Sequence, residues 1–218
     1  LEVIQSELKL EGGDLILTDG HALVGIGTIL ANQERFEGEV EARLEELFER
    51  EVVVVGETED DVPHVHLDMF LTAVGPRRLL LGDPRLAESY FKVQHEPHAA
   101  TSEARAIGAF GKQTQENRVP VYEAIAAQLR RAGFVVERIP ILHTDDDDLV
   151  TWNNVVTERR GSKSQAYVPS YGIPVLDGAA HECWRKLGYQ VQPVRAAEII
   201  RHGGAIRCLS NVVRSRPG

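Results

Sequence analysis

Only two cysteines, Cys183 and Cys208, occur in 218 residues, too few for a disulfide framework or a set of zinc fingers. Basic residues are also scarce. Against 33 Asp and Glu there are 24 Lys and Arg, a formal net charge of −9. That balance argues against nucleic acid as the main partner, because phosphate binding needs a basic face; a small cationic substrate suits it better. No apolar run approaches the roughly 20 residues of a membrane span. The first residues lack the basic-then-apolar pattern of a secretory leader. No membrane partner is therefore expected, and reduced thiols in a cytoplasm are the default. The first residue is Leu rather than Met, as in a processed product or a portion of a longer chain.

What is present is an ordinary soluble composition, 43% hydrophobic and 26% charged, with enough chain to bury a full core. The pattern reads as a repeated α/β unit of strand, strand, helix and strand. In the first unit, strands over 14–18 and 21–27 flank an Asp19-Gly20 turn. A helix is expected over about 32–50, with Phe36, Val40, Leu44, Leu47 and Phe48 at helical spacing, and a strand over 52–55. The second unit has strands over 64–74 and 77–82 around Gly75-Pro76. A polar stretch over 83–112, a helix over 120–132 and a strand over 134–141 complete it. The third has strands over 151–157 and 165–169, a helix over 176–187 closed by Gly188, and a strand over 190–194. A last strand over 203–213 is expected to carry Cys208. The Asp145 to Asp148 run reads as a solvated connecting loop.

Three short pieces carry chemistry. Cys208 follows Gly203-Gly204 and precedes Leu209-Ser210-Asn211. A free cysteine is often a small buried filler, but glycines nearby let a backbone approach a ligand closely. Arg207 would favour a thiolate, although neighbours on a strand point to opposite faces. Cys183, mid-helix near Ala179, Ala180 and Leu187, reads as packing. His66 and Asp68, two apart on the expected strand, would share one face and offer a base and an acid to a single pocket. His64 falls on that face too, and reads more simply as a polar residue at the strand start. Carboxylates are the natural recognition groups for a planar, permanently charged guanidinium. Glu11 precedes Gly12-Gly13. It is either an ordinary surface residue at a turn or a carboxylate that orients the catalytic His, a role acidic partners play elsewhere.

In this order the pieces resemble the motifs of the guanidino-modifying pentein superfamily. That group includes arginine, agmatine and peptidylarginine deiminases and amidinotransferases. Leu10-Glu11-Gly12-Gly13-Asp14 resembles its EGG(D/N/S) motif, His66-Leu67-Asp68 its H-x-D motif, and the run from Gly203 to Asn211 its Gly-rich cysteine motif. The segment from Val168 to Asp177 resembles the stretch upstream of that cysteine in deiminase-like proteins, so the likeness spans nearly the whole chain. The resemblance implies a pentein-type α/β propeller built of strand-strand-helix-strand modules, with about three modules visible of five, and a single catalytic domain over 1–218. It implies Cys208 as nucleophile, His66 as general acid and base, Glu11 as partner of His66, and Asp68 as the grip on the guanidinium. Deimination through a covalent thiouronium intermediate would follow, with no metal or organic cofactor.

The family also supplies a substrate-gripping Asp upstream of the EGG motif, and only ten residues precede Glu11. The chain is thus either the C-terminal portion of a longer enzyme or a short member that assembles its site differently. An open module edge would invite a homo-oligomer. The amidinotransferase reaction, which passes the same intermediate to an amine, is the nearest alternative. A metal-dependent hydrolase using His64, His66 and Asp68, with Asp145 to Asp148 recruited, has ligand spacing in its favour. A non-catalytic binding module would need no such residue set.

Overall fold

All five residues of His21–Gly25 are buried. A strand of that kind has to be covered on both faces. The computed structural model, which describes residues 6–93, 112–144 and 149–210, shows the covering layers. This strand, β2, pairs antiparallel with β1 (Leu15–Leu17) and parallel with β3 (Glu51–Val55). Helices α1 (Ile26–Gln33) and α2 (Val40–Phe48) lie on the crossover between β2 and β3. Ala22 and Val24 pack with Phe36, Val40 and Leu44 beneath the helices. Leu23, on the opposite face as strand periodicity dictates, joins the main core.

The same arrangement recurs twice. β4 (Leu71–Gly75) runs antiparallel to β5 (Arg78–Asp83), and β5 runs parallel to β6 (Val135–His143). Helices α3 (Pro84–Val93) and α4 (Lys112–Arg131) occupy that crossover, and β7 (Leu149–Thr151) adds antiparallel to β6. β8 (Val156–Arg160) and β9 (Lys163–Ser170) are antiparallel; α5 (Pro174–Lys186) then returns the chain to β10 (Tyr189–Arg195), parallel to β9. Parallel neighbours require a long crossover, usually helical, which is why each unit reads strand-strand-helix-strand. One core joins the three sheets, from Leu23 and Val55 through Leu80 to Val168 and Trp184. Cys183 is part-buried against that core on α5, and burial pushes its thiol pKa up. Among the described residues no helix is long and apolar enough to cross a membrane.

Several elements depart from the sequence expectation, each for a local reason. The helix expected over 32–50 is two helices, because Gly38 in the left-handed region (φ 75°) breaks the run. α1 starts at Ile26, inside the stretch expected to be strand. The polar stretch after Asp83 opens with α3, where Pro84 suits a first helical position and Asp83 Oδ1 accepts the Arg85 N–H at 2.9 Å. α4 begins at Lys112 with Pro120 inside it rather than at its start. The strand expected over 64–74 begins only at Leu71, after a single 3-10 turn over Leu67–Met69. Of the strand expected over 203–213, the described part to Ser210 contains a 3-10 turn, Arg207–Leu209, and follows another, Ile200–His202, that Gly203 ends at φ 75°. Asn211 and the Asp145 to Asp148 run lie outside the described residues.

The stretch expected as one strand over 151–157 is interrupted at Trp152, Asn153 and Asn154, and this interruption ties the units together. Trp152 Nε1–H donates to Asp177 Oδ1 at 2.9 Å, and Trp184 Nε1–H donates to the Trp152 carbonyl at 3.0 Å. Asn153 Nδ2 donates to the Phe70 carbonyl at 2.9 Å, while Thr72 Oγ1–H donates to the Asn153 carbonyl at 2.7 Å. Asp177 also accepts the backbone N–H groups of Tyr171, Gly172 and Ile173 at 3.1, 3.0 and 3.1 Å. A carboxylate there meets donors that open α5 and complements its dipole. Asp177→Ala would strand these buried donors. It is expected to cost about 3 kcal/mol and lower Tm by roughly 6–12 °C, as read by thermal denaturation.

Candidate active site

Glu11 caps a short 3-10 turn, Gly12–Asp14, which Asp14 closes. Asp14 Oδ1 accepts the Leu67 N–H at 3.0 Å, so this turn is docked on the one that carries His66 and Asp68. His66 Nε2 is bonded to Glu11 Oε2. Its ring packs closely against Gly13: a Cβ at Gly13 would sit 2.5 Å from His66 Nδ1 and 2.7 Å from Cγ. Any other residue there would push the imidazole aside. The requirement is close approach, not an unusual backbone angle.

His66 and Asp68 do not share a strand face. His66 stands just before the 3-10 turn and is exposed, whereas Asp68 lies within the turn and is only 3% exposed. Both nevertheless line one cavity of about 580 Å³ together with Gly12, Gly13, Arg207, Cys208 and the start of β8. His64 does not line it; that side chain opens onto a neighbouring cavity beside Asp14 and Gly27. Among the described residues no group of three or more His, Cys, Asp or Glu is arranged to hold a metal ion.

Cys208 is exposed and sits in its 3-10 turn against Gly204, whose absent Cβ would be 3.0 Å from the cysteine Cβ and 3.3 Å from Sγ. The turn is held by Asn154, a fully buried residue. Asn154 Oδ1 accepts the backbone N–H groups of Arg207 at 2.9 Å and Cys208 at 3.3 Å. Only the oxygen can meet those donors, so the amide orientation is determined and Nδ2 must face the sulfur, at 3.2 Å. The Asn153-Asn154 pair was legible as a break, since Asn is depleted in strands, yet sequence reasoning assigned it no role.

Asp68 is the strained member of the group. Arg207 Nε lies 3.3 Å from Asp68 Oδ2, while Asp68 Oδ1 is buried with no hydrogen-bond partner. Burial raises the Asp68 pKa above the ordinary carboxylate value; Arg207, His66 and the Asn154 side chain pull against it, and Asp14 adds a like-charge push. Because Arg207 and Cys208 stand in a 3-10 turn, the strand parity expected to send them to opposite faces does not apply.

A scan against protein-family models finds no match, and no curated protein matches. Solved structures do. The C. jejuni agmatine deiminase is 16% identical with a TM-score of 0.62, over 93% of this chain and 55% of that one. A cysteine-to-serine variant of that enzyme with substrate bound is 15% identical, TM-score 0.63, over 94% and 56%. Agmatine deiminase of Enterococcus faecalis is 14% identical, TM-score 0.62, over 93% and 56%. The repeated strand-strand-helix-strand α/β architecture is thus a known one: the chain has the fold of the pentein-type deiminases. It spans a little over half the length of the solved chains it resembles, 55–56%.

A buried carboxylate with one unpaired oxygen costs folding free energy. Asp68→Asn is expected to stabilise the fold by about 1 kcal/mol, because part-exposed Arg207 can turn to water; Tm would rise by roughly 2–4 °C. The folded carboxyl titrates above its unfolded value, so its stability contribution is full below the unfolded value and lost as pH rises through the folded one. The advantage of Asn should therefore vanish in acid and grow toward neutral pH. Melting curves of both proteins across pH check the sign.

Proposed function

We propose that this chain carries the cysteine, histidine and carboxylate machinery of a hydrolase that deiminates a guanidino group. The observation that carries the reading is the meeting of Cys208, His66 and Asp68 around one cavity, with Glu11 bonded to His66. The fold shared with agmatine deiminases supports it.

In this reading Asp68 accepts hydrogen bonds from the substrate guanidinium and orients its central carbon toward Cys208. The Cys208 thiolate forms a bond to that carbon, with Asn154 Nδ2 beside the sulfur. The tetrahedral adduct expels ammonia, protonated by His66, and leaves a thiouronium on Cys208. Water then adds to the same carbon, giving its proton to His66. The C–S bond breaks, releasing a ureido product and regenerating the thiol. Since Nε2 is engaged by Glu11, Nδ1, which packs beside Gly13, is the ring nitrogen left to exchange the proton.

The test is ureido-product formation from arginine, agmatine and an arginyl peptide, with no added amine, comparing this chain with Cys208→Ala. Product that disappears in the variant is the expected result. Equal product from both would refute a thiol mechanism, and product only with an acceptor amine would make the enzyme an amidinotransferase. If no product forms and these guanidines also fail to slow alkylation of Cys208, the reading falls.

Gly13→Ala offers a second check. The new methyl collides with half-exposed His66 rather than with the core. We expect kcat to fall at least about tenfold, as for loss of a general acid–base group, with Tm nearly unchanged.

A further inference from the structure

The carboxylate assigned to the substrate already has a guanidinium on it. Arg207 Nε is 3.3 Å from Asp68 Oδ2, and Arg207 Nη2–H donates to the Leu15 carbonyl at 3.4 Å. Arg207 is placed by its own backbone, whose N–H is held by Asn154, so it sits one residue from the nucleophile by construction. A substrate guanidinium would bind a bare carboxylate through both oxygens. Here the buried Oδ1 is unpaired and Oδ2 is occupied. Asp68 and Arg207 are also oppositely charged members of one cavity lining. Their charges cancel, leaving little ionic attraction for a ligand that brings two positive charges. A ligand with a guanidinium and a carboxylate matches both: its guanidinium takes Asp68, and its carboxylate takes the guanidinium of Arg207. With 36% of its side chain exposed, Arg207 has room to turn.

We propose that Arg207 is the specificity-determining residue of this site, an internal guanidinium that competes with the substrate for Asp68 and favours guanidino compounds carrying a carboxylate over those carrying a second cation. The inference rests on Asp68 being the guanidinium receptor, as in the proposed function. Arg207 acts by occupying the receptor, so removing it should strengthen cation recognition rather than weaken it. A prop that merely held Asp68 in place would give the opposite result.

Alkylation of Cys208 reads this without turnover. The probes are 2-chloroacetamidine, a cation shaped like the guanidinium head, and its neutral analogue 2-chloroacetamide, with Cys208 followed separately from Cys183 by peptide mass spectrometry. The ratio of the two rates measures recognition of the cation. Arg207→Gln keeps the backbone N–H that Asn154 holds; it is expected to raise that ratio roughly fivefold or more, with the 2-chloroacetamide rate as the internal reference that absorbs any change in thiol reactivity. Arg207→Lys, which restores the competing charge, should bring the ratio back toward the original. An unchanged or lower ratio in Arg207→Gln would overturn the proposal. In the unmodified chain, 3-guanidinopropionate should protect Cys208 at lower concentration than agmatine, and Arg207→Gln should erase that order; agmatine protecting better would equally overturn it. Asp68→Asn separates the two levels. If it abolishes the cation preference, Asp68 is the receptor and only the role of Arg207 is at stake. If it leaves the preference intact, the receptor assignment fails and the proposal with it.

Discussion

The structure depends on one constraint: the polar groups of Thr151, Trp152, Asn153 and Asn154 are buried, so each must find its partner inside the protein. The partners lie in three places. Thr151 Oγ1 and Asn153 Nδ2 reach the carbonyls of Met69 and Phe70, just beyond Asp68. Trp152 reaches Asp177 at the start of α5. Asn154 reaches the turn of Cys208. Satisfying these groups fixes the histidine and cysteine turns relative to each other, although His66 and Cys208 are 142 positions apart in the chain. The apolar core brings the sheets together, but apolar contact has no direction. The hydrogen bonds supply the register.

The site contrasts with this satisfied interior. Glu11, His66 and Cys208 are exposed, and Asp68 is buried with an oxygen unpaired. The polar groups of residues 151–154 are matched, whereas the carboxylate beside them keeps one oxygen unpaired, just as His21 Nδ1 is unpaired elsewhere in the interior. Arg207 offsets part of the cost of burying that carboxylate, with Nε 3.3 Å from Asp68 Oδ2.

Much of the fold was readable from residue order. The apolar run at Ala22, Leu23 and Val24, the turn at Asp19-Gly20 and the helical spacing of Val40 and Leu44 each point to the element found. The failures share a cause. The stretches over 64–70 and 203–210 are short, polar or Gly-rich, and their neighbours' pattern points to strands. They form 3-10 turns because no sheet edge pairs with them and local hydrogen bonds close instead, such as Met69 N–H to the His66 carbonyl at 3.0 Å. The site suffered the same error. His66 and Asp68 do line one cavity, but through a turn that separates an exposed imidazole from a buried carboxylate, not through a common strand face.

By itself the sequence determined the α/β units and the chemical types of the site, because hydrophobic period and side-chain chemistry are local properties written in residue order. Only the tertiary structure decided that Asn154 holds the Cys208 turn and that Arg207 pairs with Asp68 rather than pointing away. Both contacts join residues more than fifty positions apart. They arise from where the packed units place those residues, which no local pattern encodes.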